Sequence, residues 1–267
     1  MRTALIGHTG LVGSNLLRQA RFSDCFNSKN IESIVGREFD LVVCAGAPAV
    51  KWLANREPAA DLANLERLMW CLEGVRAREF ILISTVDVFP VPVHVHEYSP
   101  IDENQQHAYG RHRYLLERLV ASQFSAATIV RLPGLFGPGL KKNVIFDFLN
   151  NNNLSTVDSR SQFQFYDLRY LWRDLRRVAD ANLPLVHVAT EPVTVGEIAQ
   201  EIFDCEFTQK LPASPARYDF RSLHACRFNG SGGYLYRRDQ VLESMKSFVR
   251  ETRTIDASGN LQSRVAA

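Results

Sequence analysis

Three residues in the first half of the chain carry side chains suited to moving a proton at one oxygen atom: Thr85, Tyr109 and Arg113. Tyr109 and Arg113 stand four apart in Tyr109-Gly110-Arg111-His112-Arg113, a spacing that puts two side chains on one face of a helix. A phenol beside a fixed cation is an acid/base group, and a hydroxyl opposite it can orient the oxygen that gains or loses the proton. Bringing a phenol from about 10 to near neutrality takes roughly three pKa units, or about 4 kcal/mol. One cation about 4 Å away, at an effective dielectric of about 20, supplies energy of that order. Arg113 is permanently charged, so an electrostatic role of this size could be met, while its planar guanidinium makes other contacts than an ammonium would.

A second constellation opens the chain. Gly7-His8-Thr9-Gly10-Leu11-Val12-Gly13 follows a short apolar strand at residues 3–6 and runs into an amphipathic helix at residues 12–20. A helix N-terminus offers unpaired N–H donors and the positive end of the macrodipole, and glycines let a phosphate approach the backbone. With strand before and helix after, the segment reads as a dinucleotide pyrophosphate site, with Gly7, Thr9, Gly10, Leu11, Val12 and Gly13 as its contacts. The plain alternative is a tight strand-to-helix turn that binds nothing.

The elements that must position these groups alternate. Apolar strands are expected at residues 3–6, 39–45, 80–84, 127–132 and 185–188, with a weakly written one near 25–27. Helical patterns fall at residues 12–20, 62–73, 109–122 and 168–182, then 194–203, where Thr194 is the expected cap, and 238–250. Near-continuous apolar strands separated by helices predict an α/β fold, a doubly wound parallel sheet covered on both faces. Ligands bind outside the carboxyl ends of such strands, so topology delivers Thr85 to the crevice. The expected organisation is a Rossmann-type dinucleotide domain at residues 1–139 and 164–190, a small substrate lobe at 140–163 and 191–253, and a polar tail at 254–267.

Composition excludes several classes. Lys and Arg number 31 against 29 Asp and Glu, a net charge of +2, so neither nucleic acid nor a membrane surface is an expected partner. The five cysteines are scattered without a Cys-x-x-Cys pair, as in reduced cytosolic proteins. The first strand leaves no room for a signal peptide and no apolar run has the length of a membrane span, so the expected location is cytoplasmic. The expected partner is a small-molecule substrate, and a homodimer is compatible with the sequence.

Around the second strand the sequence offers Asn27-Ser28-Lys29-Asn30, with no carboxylate before Glu32 to accept from ribose hydroxyls. Ser28 and Lys29 therefore favour NADP, with NAD possible. Lys141, Lys142 and Asn143 at a helix entry, and Arg221 later, suit an acidic substrate group, with Arg217 and His224 weaker candidates. His94, His96 and Glu97 sit on an extended loop without a distant third ligand, so no metal is expected. Trp52, Trp70 and Trp172 are expected in or near the core.

Taken together, several segments resemble the extended short-chain dehydrogenases/reductases, in the group of nucleotide-sugar epimerases, dehydratases and dTDP-4-dehydrorhamnose reductases. They are the glycine motif, Ala45-Gly46-Ala47, Asn64, Ser84-Thr85 with Val88-Phe89, the Tyr109 motif, and the run from Arg131 through Pro133 to Gly139. The resemblance extends to about Val188 and implies roles by position. Thr85 would bind the substrate carbonyl or hydroxyl, and Tyr109 would be the proton donor or acceptor. Ala45, Gly46, Ala47, Asn64, Ser84 and Pro133 would serve the cofactor side. Arg113 stands where the Tyr-x-x-x-Lys pattern has lysine, the residue that holds the nicotinamide ribose and lowers the tyrosine pKa. The chain thus reads as an NAD(P)-dependent oxidoreductase or epimerase-like enzyme acting on a sugar or nucleotide-sugar hydroxyl or carbonyl. The alternative is a catalytically silent NADP-binding sensor or interaction protein of the same fold.

Overall fold

In the computed structural model, which describes the backbone of residues 1–265 and the side chains of residues 1–254, the apolar runs become one parallel sheet. Its strands are β1 (Thr3–Ile6), β2 (Asp24–Phe26), β3 (Glu38–Cys44), β4 (Arg76–Thr85), β5 (Ala127–Leu132) and, three short strands further on, β9 (Leu185–His187). The order is β2-β1-β3-β4-β5-β9, so the chain reverses direction across the sheet between β1 and β3. Such a switch point is where open α/β sheets leave a crevice for ligands.

Helices cover both faces because their apolar stripes have nowhere else to go. On one face α3 (Pro58–Glu73) and α4 (Ala108–Gln123) bring Leu65, Leu68, Leu72, Leu116 and Val120 against Val42, Phe80 and Leu82. On the other, α1 (Leu11–Gln19) and α6 (Leu171–Asp180) bury Leu16, Leu171, Leu175 and Val178 against Leu5, Val43 and Val130. One short helix escaped the sequence pattern. This is α2 (Lys51–Arg56), too short to show a helical period, and it carries the chain from β3 to α3.

A second core lies outside the six-stranded sheet, and it takes in residues 134–136 and 165–167, which the sequence pattern assigns to the dinucleotide domain. β6 (Gly134–Phe136) pairs with β8 (Phe165–Asp167), and β7 (Gln162–Phe163) with β10 (Val193–Thr194). With α5 (Val144–Asn150), α7 (Val195–Phe203) and α8 (Arg238–Val265) they enclose Phe136, Ile145, Phe165, Ile198, Met245 and Phe248. Thr194 caps α7 in a reciprocal capping box with Glu197.

Two expectations change. The segment read as a tail from residue 254 is the continuation of α8 as far as Val265, and residues 266–267 lie outside the described residues. Trp52 and Trp70 are 61% and 58% exposed rather than in the core, while Trp172 packs edge-on against Phe22. Among the described residues no helix is long and apolar enough to cross a membrane.

Candidate active site

The glycine-rich loop lies between β1 and α1 at the switch point. Gly7 has a φ of +83°, and a Cβ on it would sit 2.2 Å from the Ala45 carbonyl oxygen. A Cβ on Gly13 would sit 2.2 Å from the Gly7 carbonyl oxygen. These two glycines therefore let α1 and the end of β3 close on the loop. Gly10 differs: it is the N-cap of α1, it has no side-chain cap, and a Cβ there would meet only the Gly7 oxygen at 3.4 Å. Space remains in front of the first-turn N–H groups, which is the cradle a pyrophosphate requires. Thr9 is exposed, and Leu11 and Val12 are half-buried, at this rim. Ala45, Gly46 and Ala47 leave β3 on its other side, half-buried. Ser28 and Lys29 are exposed just after β2, whose last carbonyl, that of Phe26, accepts from the Gly7 N–H. Pro133 follows β5, half-buried. Nicotinamide dinucleotide would fit along this edge.

Tyr109 enters from the first turn of α4. Asn55 accepts from its backbone N–H at 2.9 Å, and the His107 Nδ1 accepts from the Gly110 N–H at 3.0 Å as the helix cap. A Cβ on Gly110 would meet the Asp87 carbonyl oxygen at 2.2 Å, so glycine alone lets this turn close on the end of β4. The Thr85 hydroxyl accepts from the Asp87 N–H at 3.1 Å and lies against the phenol. Its own hydrogen is thereby free for the phenol or a substrate oxygen.

Arg113 does not do what its spacing suggested. Its side chain is 3% exposed and forks onto the carboxylate of Asp61, with Nη1 2.5 Å from Oδ2 and Nη2 2.8 Å from Oδ1. The remaining terminal N–H groups go to the carbonyls of Tyr109 and Pro48, and the guanidinium stacks 4.0 Å from the Tyr109 ring centre. Burial opposes ionisation of Asp61. Hydrogen bonds from Arg113 and His112 outweigh it and hold the carboxyl below its ordinary range. The phenol accordingly sits near a neutralised pair. Its own burial, only partly offset by Arg113, pushes Tyr109 up to about 12, opposite to the depression expected from one free cation.

Other expected site residues are committed elsewhere. Asn64 is exposed and its amide donates to the Ala60 carbonyl of its own helix at 3.0 Å. Ser84 is buried and its hydroxyl donates to Glu117 at 2.5 Å. Asn143 is the cap of α5, accepting from the Ile145 and Phe146 N–H groups and donating to the Leu135 carbonyl. Arg221 pairs with both oxygens of Asp219 at 3.0 Å and donates to the Gly232 carbonyl. Lys141 is exposed, while the Lys142 ammonium crosses the crevice to the Ala49 carbonyl and is held below the ordinary lysine range by desolvation. Among the described residues no cluster of His, Cys, Asp and Glu could hold a metal ion. Glu97, beside the two loop histidines, is buried and accepts from Ser222, Leu223 and the His187 N–H.

Three residues that sequence reasoning passed over face the same edge. Lys51, the first residue of α2, donates to Asp87 at 2.8 Å and to the Tyr218 hydroxyl at 3.2 Å. The Tyr218 hydroxyl, from the lobe, donates to the same Asp87 oxygen at 2.9 Å. Asp87 stands two residues after Thr85, and its place at a strand end was legible; Tyr218, 131 residues further on, was not.

Behind the site a buried network ties the lobe to the sheet. Ser84 and Arg131 both donate to Glu117, and Arg131 also donates to the His187 Nε2 at 3.2 Å. The His187 Nδ1 lies 3.0 Å from the Arg221 carbonyl, which can only accept, so this nitrogen carries the proton and Nε2 is left to accept. Burial lowers His187 to about 4, matching a neutral ring between two such partners.

The His107 cap also titrates. Burial and the Lys51 charge lower its pKa, opposed by Asp87, and only the unprotonated ring can accept from Gly110. A lowered folded pKa means that the cap's stability is fully present above about pH 6.5 and is lost as pH falls below it. Relative to His107→Asn, whose cap does not titrate near neutrality, wild type should lose about 1 kcal/mol between pH 7.5 and 5 in denaturant melts. A constant difference between the two would count against the cap.

A parallel doubly wound sheet, with a glycine loop at its switch point and Thr85 at the end of β4 facing Tyr109 from α4, is a Rossmann-like α/β fold. The profile of the NAD dependent epimerase/dehydratase family matches residues 21–198, more than half of the chain, and the chain belongs to that family. The match begins after the glycine loop, so the cradle rests on the geometry above. A search of curated proteins finds no match. Among solved structures, a dTDP-4-dehydrorhamnose reductase from Clostridium acetobutylicum superposes with a TM-score of 0.71 at 17% identity, covering 95% of this chain and 100% of that one. The same enzyme from Bacillus anthracis, solved with NADP, gives 0.72 at 18% identity, covering 94% and 98%. A Thermotoga maritima UDP-glucose 4-epimerase gives 0.66 at 18% identity, covering 96% and 99%.

Proposed function

We propose that this chain is an NAD(P)H-dependent reductase of a sugar-type carbonyl, of the kind carried on a nucleotide diphosphate. The observation that carries this reading is the Tyr109 phenol lying against the Thr85 hydroxyl, at the carboxyl end of β4 and on the same sheet edge as the glycine loop. A protonated phenol can hand its proton to a carbonyl oxygen as that carbon is reduced, and its raised pKa makes it a weaker acid than an ordinary phenol. The Thr85 hydroxyl would orient the carbonyl oxygen, and Tyr109 would hand it the proton as the alcohol forms. A bound reduced nicotinamide would supply the hydride. Gly7, Gly10 and the first turn of α1 would hold its pyrophosphate, with Ser28 and Lys29 favouring a 2′-phosphate. NADP in the Bacillus anthracis neighbour is compatible with that preference. Lys141 and Lys142, at the crevice rim, suit a substrate diphosphate.

One observation favours the silent alternative. Arg113 is spent on Asp61 and Pro48, so the motif lysine's task is not performed from its usual position. Turnover separates the two. With NADPH and a panel of nucleotide-linked keto sugars, wild type should oxidise the cofactor, and Tyr109→Phe should lose at least about a hundredfold in kcat with little change in cofactor affinity. Cofactor binding without turnover across the panel would favour the silent reading. Full activity of Tyr109→Phe would remove the phenol from the mechanism.

A further inference from the structure

We propose that Lys51, from the start of α2, is the cation of this crevice that contacts the nicotinamide half of the bound cofactor, in place of residue 113. The proposal rests on the cofactor reading above and is carried by a count of donors. A guanidinium has five N–H groups. In Arg113 four are used, two by Asp61 and one each by the Tyr109 and Pro48 carbonyls. The fifth, on Nε, is buried with no acceptor. With its side chain 3% exposed, Arg113 has no N–H that a ligand can reach.

Lys51 has the opposite inventory. An ammonium has three donors; Asp87 and Tyr218 take two, and the side chain is 37% exposed. The third N–H is unassigned. Its surroundings fix where a ligand would meet it. Lys51 follows the Ala45–Ala47 turn from β3, on one side of the switch point, and its partner Asp87 stands two residues beyond Thr85. On the α4 side its charge is felt by His107, two residues before Tyr109. Asp87 and Tyr218 hold the ammonium from the sheet and the lobe respectively, so it is oriented before any ligand arrives. The ligand chemistry it suits is a neutral oxygen acceptor, a ribose hydroxyl or a carboxamide oxygen, because Asp87 already offsets most of its charge.

The test is calorimetric titration of NADPH, NADH and ADP into wild type, Lys51→Met and Lys51→Arg, with NMR titration of the His107 ring. Lys51→Met should weaken both reduced dinucleotides by about tenfold, the size of one hydrogen bond from a charged donor. ADP, which lacks the nicotinamide half, should bind as in wild type, and Lys51→Arg should recover most of the lost affinity. Removing the cation should also raise the His107 titration midpoint. Unchanged dinucleotide affinity in Lys51→Met would overturn the assignment alone, and equal loss for ADP would overturn it in favour of a structural role. If wild type bound neither dinucleotide, the cofactor reading itself would fall, and this assignment with it.

Discussion

Gly10→Val is expected to abolish binding of NADPH and NADH while leaving the fold intact. Gly10 has a φ of −76°, which any residue adopts, and its missing Cβ faces only the Gly7 oxygen at 3.4 Å, an ordinary contact. A valine there costs little in the folded chain, yet its methyl groups would fill the space in front of the α1 N–H groups. Each lost hydrogen bond to a charged phosphate is worth about 1.5–3 kcal/mol, so losing two weakens binding by more than about a hundredfold. The neighbouring glycines provide the contrast. Gly13→Ala would drive a Cβ to 2.2 Å from the Gly7 carbonyl and should unfold the loop rather than merely block it. Calorimetry with circular dichroism melting separates the two effects, and a folded Gly10→Val with wild-type affinity would remove the pyrophosphate assignment. In the same titrations wild type should prefer NADPH, through Ser28 and Lys29. Equal or reversed affinities would return the choice to NAD.

Asp61→Ala should destabilise the fold by about 3–5 kcal/mol, because it strands a buried charge. Asp61 is 6% exposed and answers both Arg113 and His112, each itself almost wholly buried. Removing it leaves a guanidinium without a counter-charge between α3 and α4. Arg113→Lys should also lose stability, since a single ammonium cannot satisfy both Asp61 oxygens and the Pro48 carbonyl together. Urea melts at pH 7.5 would measure both. A loss below about 1 kcal/mol for Asp61→Ala would mean that the pair contributes no more than an exposed one.

Parts of this site were open to sequence reasoning and were not used. Asp61 falls on the apolar stripe of α3 with Leu65, Leu68 and Leu72, at spacings of three and four, where an acid is buried and must find a cation. That stripe pointed to Asp61, whereas Asn64 lies on its exposed side and bonds within its own helix. The short length of α2 hid Lys51, since six residues cannot display a helical period. Asn143 and Arg221 carried the right chemistry for a ligand. Only their neighbours, a helix end and Asp219, show that they are already occupied.

By itself the sequence determined the parallel sheet, the order of its helices, the glycine loop and the delivery of Thr85 and Tyr109 to one edge. These follow from local pattern, because apolar runs, helical periods and glycines act within a few residues of themselves. The tertiary structure alone decided the charge of the site. Arg113 meets Asp61 across 52 residues of sequence, and Lys51 meets Tyr218 across 167. Electrostatic energy depends on distance in space and on exclusion of water, neither of which is written in spacing along the chain. A cation that looked free therefore proved neutralised, the phenol beside it stayed protonated, and the accessible ammonium came from a helix too short to be read.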